Sequence, residues 1–227
     1  VFVATDPIDQ GTPRYMSWDQ IRQLAADGVS IGSQTKTHPH MADISLAARL
    51  ADLTASNQRF EAELGRAPDL FAYPYGETDL ATFDVVKKAG FVAGFGQHSG
   101  AIGSDDNIYY LARFAMNETF GSVDRFRLAA NALPMAVRDF TPADPKIGSK
   151  NPPSIGFTVD WPETNRDRLT CYTSNLGKVA NERLGPRIEI RLPEAFPKGR
   201  SRLNCTIPAG DGRWHWFGRQ LYVGSGS

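Results

Sequence analysis

The sequence predicts an α/β first part followed by a small all-β part. Three observations carry that expectation. Strand and helix patterns alternate over residues 1–145, five short strands of period two follow, and a proline-rich stretch with a change of charge lies between them. Alternating strands and helices imply a parallel sheet or a β/α barrel, whereas short period-two strands separated by turn-formers imply a small sandwich.

Taken in order, Val1-Phe2-Val3-Ala4-Thr5 is β-branched and aromatic, as a buried strand requires. Ser17-Trp18-Asp19-Gln20 is a capping box: a serine able to accept from the backbone three residues on, and a glutamine able to reply. Trp18, Ile21, Leu24 and Ala25 then recur at helical spacing up to Gly28. Residues 29–33 read as a strand. A helix from Ser45 to Gly65 places Leu46, Leu50, Leu53, Phe60 and Leu64 inward, and residues 70–73 form the next strand. Helix 79–90, strand 91–95 and helix 122–132 complete this part. In such folds the site lies in loops at the carboxyl ends of strands. Three of the four histidines, His38, His40 and His98, fall in those loops.

The 227 residues carry 25 basic and 25 acidic side chains, with 41% hydrophobic and 22% charged residues, an ordinary globular mixture. A neutral total excludes a general nucleic-acid binder, and no apolar run is long enough to span a membrane. The total conceals an asymmetry: residues 1–149 hold 13 basic and 18 acidic side chains, residues 150–227 hold 12 and 7. The change falls in a stretch with Pro142, Pro145, Pro152 and Pro153, so 1–145 and 154–224 are expected as domains and 146–153 as a linker. The opening segment has neither Met nor a signal-peptide pattern, as expected of a piece cut from something longer.

Beyond the linker, residues 154–160, 168–174, 187–192, 202–207 and 214–223 are strands. The turns between them hold Pro162 and Asn165, Gly185-Pro186, Pro197-Lys198-Gly199 and Asp211-Gly212. One face of these strands carries Ile155, Phe157, Val159, Leu169, Cys171, Ile188, Ile190, Leu192, Leu203, Cys205 and Ile207. Cys171 and Cys205 are either a disulfide or two core thiols. Trp161, Trp214, Trp216, Phe217 and Tyr222 are either a sugar-stacking platform or packing residues.

Ile31-Gly32-Ser33-Gln34-Thr35-Lys36-Thr37-His38-Pro39-His40-Met41 resembles the metal-binding motif of the NodB-homology polysaccharide deacetylases, carbohydrate esterase family 4. Phe71-Ala72-Tyr73-Pro74-Tyr75-Gly76 is similar to the motif that builds one wall of their active-site groove, and Leu111-Ala112-Arg113-Phe114 is similar to a later one. The resemblance covers about residues 1–145. It implies a NodB-like β/α barrel, incomplete here at its first strand, and an acetylated polysaccharide or oligosaccharide as partner. Removal of N- or O-acetyl groups and a periplasmic, extracellular or cell-envelope location are implied with it. The cofactor it implies is zinc or another divalent metal, held by one Asp and two His.

Carried over residue by residue, the resemblance assigns His38 to the metal and Pro74, Tyr75 and Gly76 to the groove wall. His98 corresponds to the general acid or is a surface turn residue, and Arg113 corresponds to the residue that orients the catalytic base or is an ordinary salt-bridge partner. Gln34 stands where the family has its first His, and the Asp-Asp segment of the family lies upstream of Val1. An amide binds zinc poorly beside an imidazole, so metal is expected to be held weakly or not at all, and hydrolysis to be impaired. His40 is a substitute ligand or a loop residue. The alternative function is a non-catalytic glycan-binding or structural member of the family.

Overall fold

The computed structural model describes residues 1–160 and 167–224, which form two compact units. Val1–Gly96 with Ile108–Leu111 make the first, and the remaining residues the second.

The first unit is mixed α/β. Its sheet has four parallel strands in sequential order: β1 (Phe2–Val3), β2 (Gly32–Ser33), β3 (Leu70–Ala72) and β4 (Ala93–Phe95). Between them run α1 (Thr5–Asp9), α2 (Trp18–Ala26), α3 (Leu46–Leu64) and α4 (Leu80–Lys88). The expected start and stop signals act as read. Ser17 and Gln20 close the reciprocal capping box on α2, and Ser45 and Asp79 cap α3 and α4 through the backbone N–H three residues on. Gly65 ends α3 in the left-handed region at φ 76°. The first expected strand is shorter than 1–5, because Thr5 already opens α1. There the N–H groups of Thr5 and Asp6 donate to the carbonyls of Thr35 and Lys36, prolonging the β1–β2 pairing as the chain turns.

Two small apolar clusters hold this unit. Val3, Ile8, Trp18, Ile21 and Phe60 form one, with Trp18 edge-on to Phe60 and its indole N–H donating to Asp9. Met41, Leu53, Phe71, Tyr73, Phe83, Val86, Phe91 and Tyr110 are central to the other. The Tyr73 hydroxyl donates to the Tyr109 carbonyl at 2.7 Å. A Cβ on Gly94 would lie 2.9 Å from both of those oxygens, so this position admits only glycine.

Among the described residues the second unit contains α5 (Val123–Ala130) and eight strands. These are β5 (Val137–Thr141), β6 (Lys146–Ile147), β7 (Ile155–Val159), β8 (Thr170–Thr173), β9 (Gly177–Leu184), β10 (Arg187–Arg191), β11 (Gly199–Pro208) and β12 (Trp214–Val223). Their order is β5-β7-β10-β9-β8-β11-β12-β6. A flat sheet of this size would separate its edges by about 34 Å. Yet β5 and β6 are joined through residues 142–145 only, a span of at most about 18 Å. The sheet therefore folds back on itself, and its enclosed face carries one continuous core that includes Ile155, Phe157, Val159, Ile188, Ile190, Leu203, Cys205, Ile207, Phe217 and Leu221.

The expected linker lies inside this unit. Lys146–Ile147 pairs in parallel with Tyr222–Val223, and Ile147 is core, so the prolines there shape turns between strands rather than a tether. β9 escaped the pattern reading because Val179 is its only fully buried residue. The Gly185-Pro186 turn joins β9 to β10 with Leu184 opposite Arg187. Pro162, Asn165 and Trp161 lie outside the described residues.

Cys171 and Cys205 face each other across β8 and β11 and form a disulfide. The aromatic residues of β12 do not form one surface. Phe217 and Tyr222 are buried, Trp214 is partly exposed, and Trp216 meets Phe114 edge-on while donating to Asn204. Strand alternation sends Trp216 and Phe217 to opposite faces.

Candidate functional site

The loops after β2 and β3 meet in the first unit. After Ser33 the chain enters a braced turn. Ser33 Oγ shares a hydrogen bond with Ser56 on α3 and accepts from the Thr35 N–H. Asp52, also on α3, accepts from the Lys36 N–H at 2.7 Å and the Thr37 hydroxyl at 2.6 Å. Thr35 Oγ1 accepts from the His38 N–H at 2.9 Å. Thr35 and His38 both hold left-handed backbone, φ 71° and 55°. Non-glycine residues reach that region at a cost of about 1–2 kcal/mol, and such strain collects where a side chain must be aimed.

The β3 loop is built alike. Pro74–Gly76 makes a single tight turn in which Tyr75 has φ 58°. The Tyr75 ring is stacked on His40, with centroids 4.4 Å apart and planes 11° from parallel, and it stands edge-on to His38 at 4.6 Å. His40 Nδ1 lies 2.5 Å from Oε2 of the buried Glu77. Beneath this layer Arg49 of α3, 5% exposed, donates to the Ile44 carbonyl, Asp79 and Thr82, fixing the chain just past His40 to the start of α4. Met41, fully buried, pins the same segment from below.

The electrostatics follow from burial. Desolvation pushes His38 below the ordinary imidazole range, opposed by a hydrogen bond to its own backbone and assisted by nearby His40. Burial competes with the bonds from Arg49 and Thr82 at Asp79, and the bonds prevail, holding its carboxyl below the usual range.

His38, His40, Pro74, Tyr75 and Gly76 are thus brought together. Gln34 continues β2, its N–H donating to the Val3 carbonyl at 2.7 Å. His98 and Arg113 belong to the second unit, where the Arg113 N–H donates to the His98 carbonyl at 3.0 Å. His98 is 1% exposed rather than a surface turn residue. Burial, with the positive charges of Arg219, Arg202 and Arg113, lowers it to about 3. Glu77 and Asp52 were missed as site-building residues. A carboxyl immediately after the Pro-Tyr-Gly turn was visible, but its partner was not.

Residues 1–94 match the sequence profile of the polysaccharide deacetylase family. This part of the chain is similar to polysaccharide deacetylases. YxkH, a Bacillus subtilis (strain 168) protein named for the same family, is 23% identical over 103 residues, 45% of this chain and 37% of its own length. The Streptococcus pyogenes deacetylase PplD, solved with acetate, is 17% identical with a TM-score of 0.52, covering 56% of each chain. The BpsB deacetylase domain of Bordetella bronchiseptica is 18% identical with a TM-score of 0.45, covering 49% of this chain and 59% of its own. The chain therefore spans about a third of the curated relative and about half of the streptococcal structure. The likeness to PplD establishes the fold of the matched part.

Deacetylases of this family usually carry a divalent metal. Among the described residues no three His, Cys, Asp or Glu side chains converge as a metal-binding group. The donor set that the resemblance implies is two His and an Asp, and residue 34, which it would place among them, is a glutamine. The described donors do not fit that metal. No helix among the described residues is long and apolar enough to cross a membrane.

Proposed function

We propose that this deacetylase-family chain recognises an acetylated polysaccharide or oligosaccharide at the loops after β2 and β3, and that its described residues do not by themselves hydrolyse it. The observation that supports this reading is the ring cluster His38–Tyr75–His40, formed on strained backbone. Flat apolar rings suit the C–H faces of pyranose rings, and imidazole nitrogens suit their hydroxyl and acetamido groups. Pro74 and Gly76 shape the wall of the groove. The eight-stranded sheet of the second unit serves as a sandwich-like accessory domain in this reading, and an exported, cell-envelope setting agrees with its disulfide.

The test combines turnover and binding. Purified chain is incubated with N-acetylglucosamine oligomers and O-acetylated xylan, with zinc and with a chelator, and acetate is measured. Binding of the same glycans is followed by titration calorimetry. Binding without acetate release is the expected result. Acetate release that disappears with the chelator would overturn the non-hydrolytic part of the reading, and absence of binding would overturn the recognition part.

A further inference from the structure

The second unit contains a cavity of about 330 Å³ lined by Gln97, Ser99, Asn117, Phe120, Arg125, Ser174, Arg202 and Asn204, with Ala115. Two guanidinium groups face it and none of its lining side chains among the described residues is acidic, so that lining carries two positive charges. We propose that this cavity binds a carboxylated sugar, a hexuronate unit, with Arg125 as the residue that selects the carboxylate.

Four features support that ligand. First, the Arg125 Nε is buried and has no hydrogen-bond partner among the described residues, while its guanidinium lies over the Phe120 ring at 5.4 Å. A planar guanidinium held on an aromatic face at the cavity wall has the fork geometry that matches a planar, two-oxygen acceptor. Second, the carbonyl oxygen of Asn117 already accepts from the N–H groups of Thr119 and Phe120, and that of Asn204 accepts from the Trp216 indole. Each amide is left with its NH₂ as a donor, which matches an acceptor-rich ligand.

Third, Arg202 is held in place, its Nε donating to the Gln97 carbonyl at 3.1 Å, while its own N–H donates to Ser174 Oγ. The depressed basicity of neighbouring His98, caused by burial together with Arg219, Arg202 and Arg113, reports the same positive field. Fourth, the volume exceeds what a bare inorganic anion fills and falls in the range of small-molecule sites. The serine and amide groups around the charged end suit the hydroxyls of one sugar ring. The proposal does not require hydrolysis or glycan binding in the first unit.

The test is titration of the full chain with methyl glucuronide, methyl glucoside and inorganic phosphate. Each is repeated with Arg125→Gln, with Arg127→Gln, which removes the same charge from an exposed neighbouring position, and with Tyr75→Ala. Glucuronide should bind at least about tenfold more tightly than glucoside, and Arg125→Gln should remove that preference. Arg127→Gln and Tyr75→Ala should leave it intact, with melting temperatures showing all variants folded. Equal binding of glucoside, an unchanged preference in Arg125→Gln, or phosphate binding without glucuronide binding would each overturn the proposal. So would loss of the preference in Arg127→Gln or Tyr75→Ala, the latter assigning binding to the first unit instead.

Discussion

The Nδ1 atom of His40 lies 2.5 Å from Oε2 of Glu77, and the two side chains are 54% and 3% exposed. The contact runs from solvent to interior and sets the plane on which Tyr75 stacks. Glu77→Ala should lower stability by about 1–3 kcal/mol through loss of a buried hydrogen-bonding group. It should also broaden the His40 ring resonances as the imidazole loses its fixed orientation. Chemical denaturation and heteronuclear NMR check both. An unchanged ring spectrum would mean that stacking alone orients His40.

Tyr75 couples backbone strain to ring presentation. Tyr75→Phe should keep binding of N-acetylglucosamine oligomers within about threefold, because the stacked face is retained, whereas Tyr75→Ala should weaken it at least about tenfold. Calorimetric titration separates the outcomes. Equal loss in both variants would point to the phenolic hydroxyl instead of the ring.

Arg49 is nearly enclosed, with Asp79 and Thr82 as partners. Arg49→Ala leaves the Asp79 carboxyl without its cation in a half-buried setting, so unfolding free energy should fall by about 3–5 kcal/mol. Restoring only the apolar stem with Arg49→Met should recover little of it. Full recovery with Met would show that packing, and not charge, dominates at this position.

His98 gives the second unit an acid-sensitive stability. Its folded value is about 3, below the ordinary 6.5, so the unfolded chain binds this proton first as pH falls. The contribution of His98 is flat above pH 6.5 and declines from there toward pH 3, with a slope of at most about 1.4 kcal/mol per pH unit. Denaturant midpoints measured between pH 7 and 4 should show that slope, and His98→Asn should flatten it. An equally steep profile in the variant would assign the acid sensitivity to other groups.

The Cys171–Cys205 bond closes a loop with a sequence separation of 34. Replacing both cysteines by alanine should cost about 2–4 kcal/mol. Because both residues are fully buried, reductant added to the folded protein should act slowly. Rapid reduction under native conditions would show that β8 and β11 open locally.

What the sequence revealed divides along physical lines. Local chemistry was legible: Ser17 with Gln20, Ser45, Gly65 and Asp79 each state a helix boundary in a few residues. Period-two burial was legible wherever the inner face is continuously apolar, as in Ile155, Phe157 and Val159. β9 was not, since a strand covered on both flanks by β8 and β10 can carry polar side chains on most of its length. The prolines at 142–153 were read as a tether because the partners that make Lys146–Ile147 a strand stand some 75 residues away. At the site, His38, His40 and Tyr75 were found through their motifs. Glu77 and Asp52 escaped because a carboxyl's partner across the fold leaves no periodic trace.

The two outer strands of the eight-stranded sheet have a bearing on self-association. β6 is only two residues long, and β5 breaks register between Arg138 and Thr141, with Asp139 in the left-handed region at φ 53°. A stub at one border and a charged bulge at the other offer no regular row of amides for another copy to dock upon. A chain with this much β structure is thereby protected at its borders against growth into fibrils.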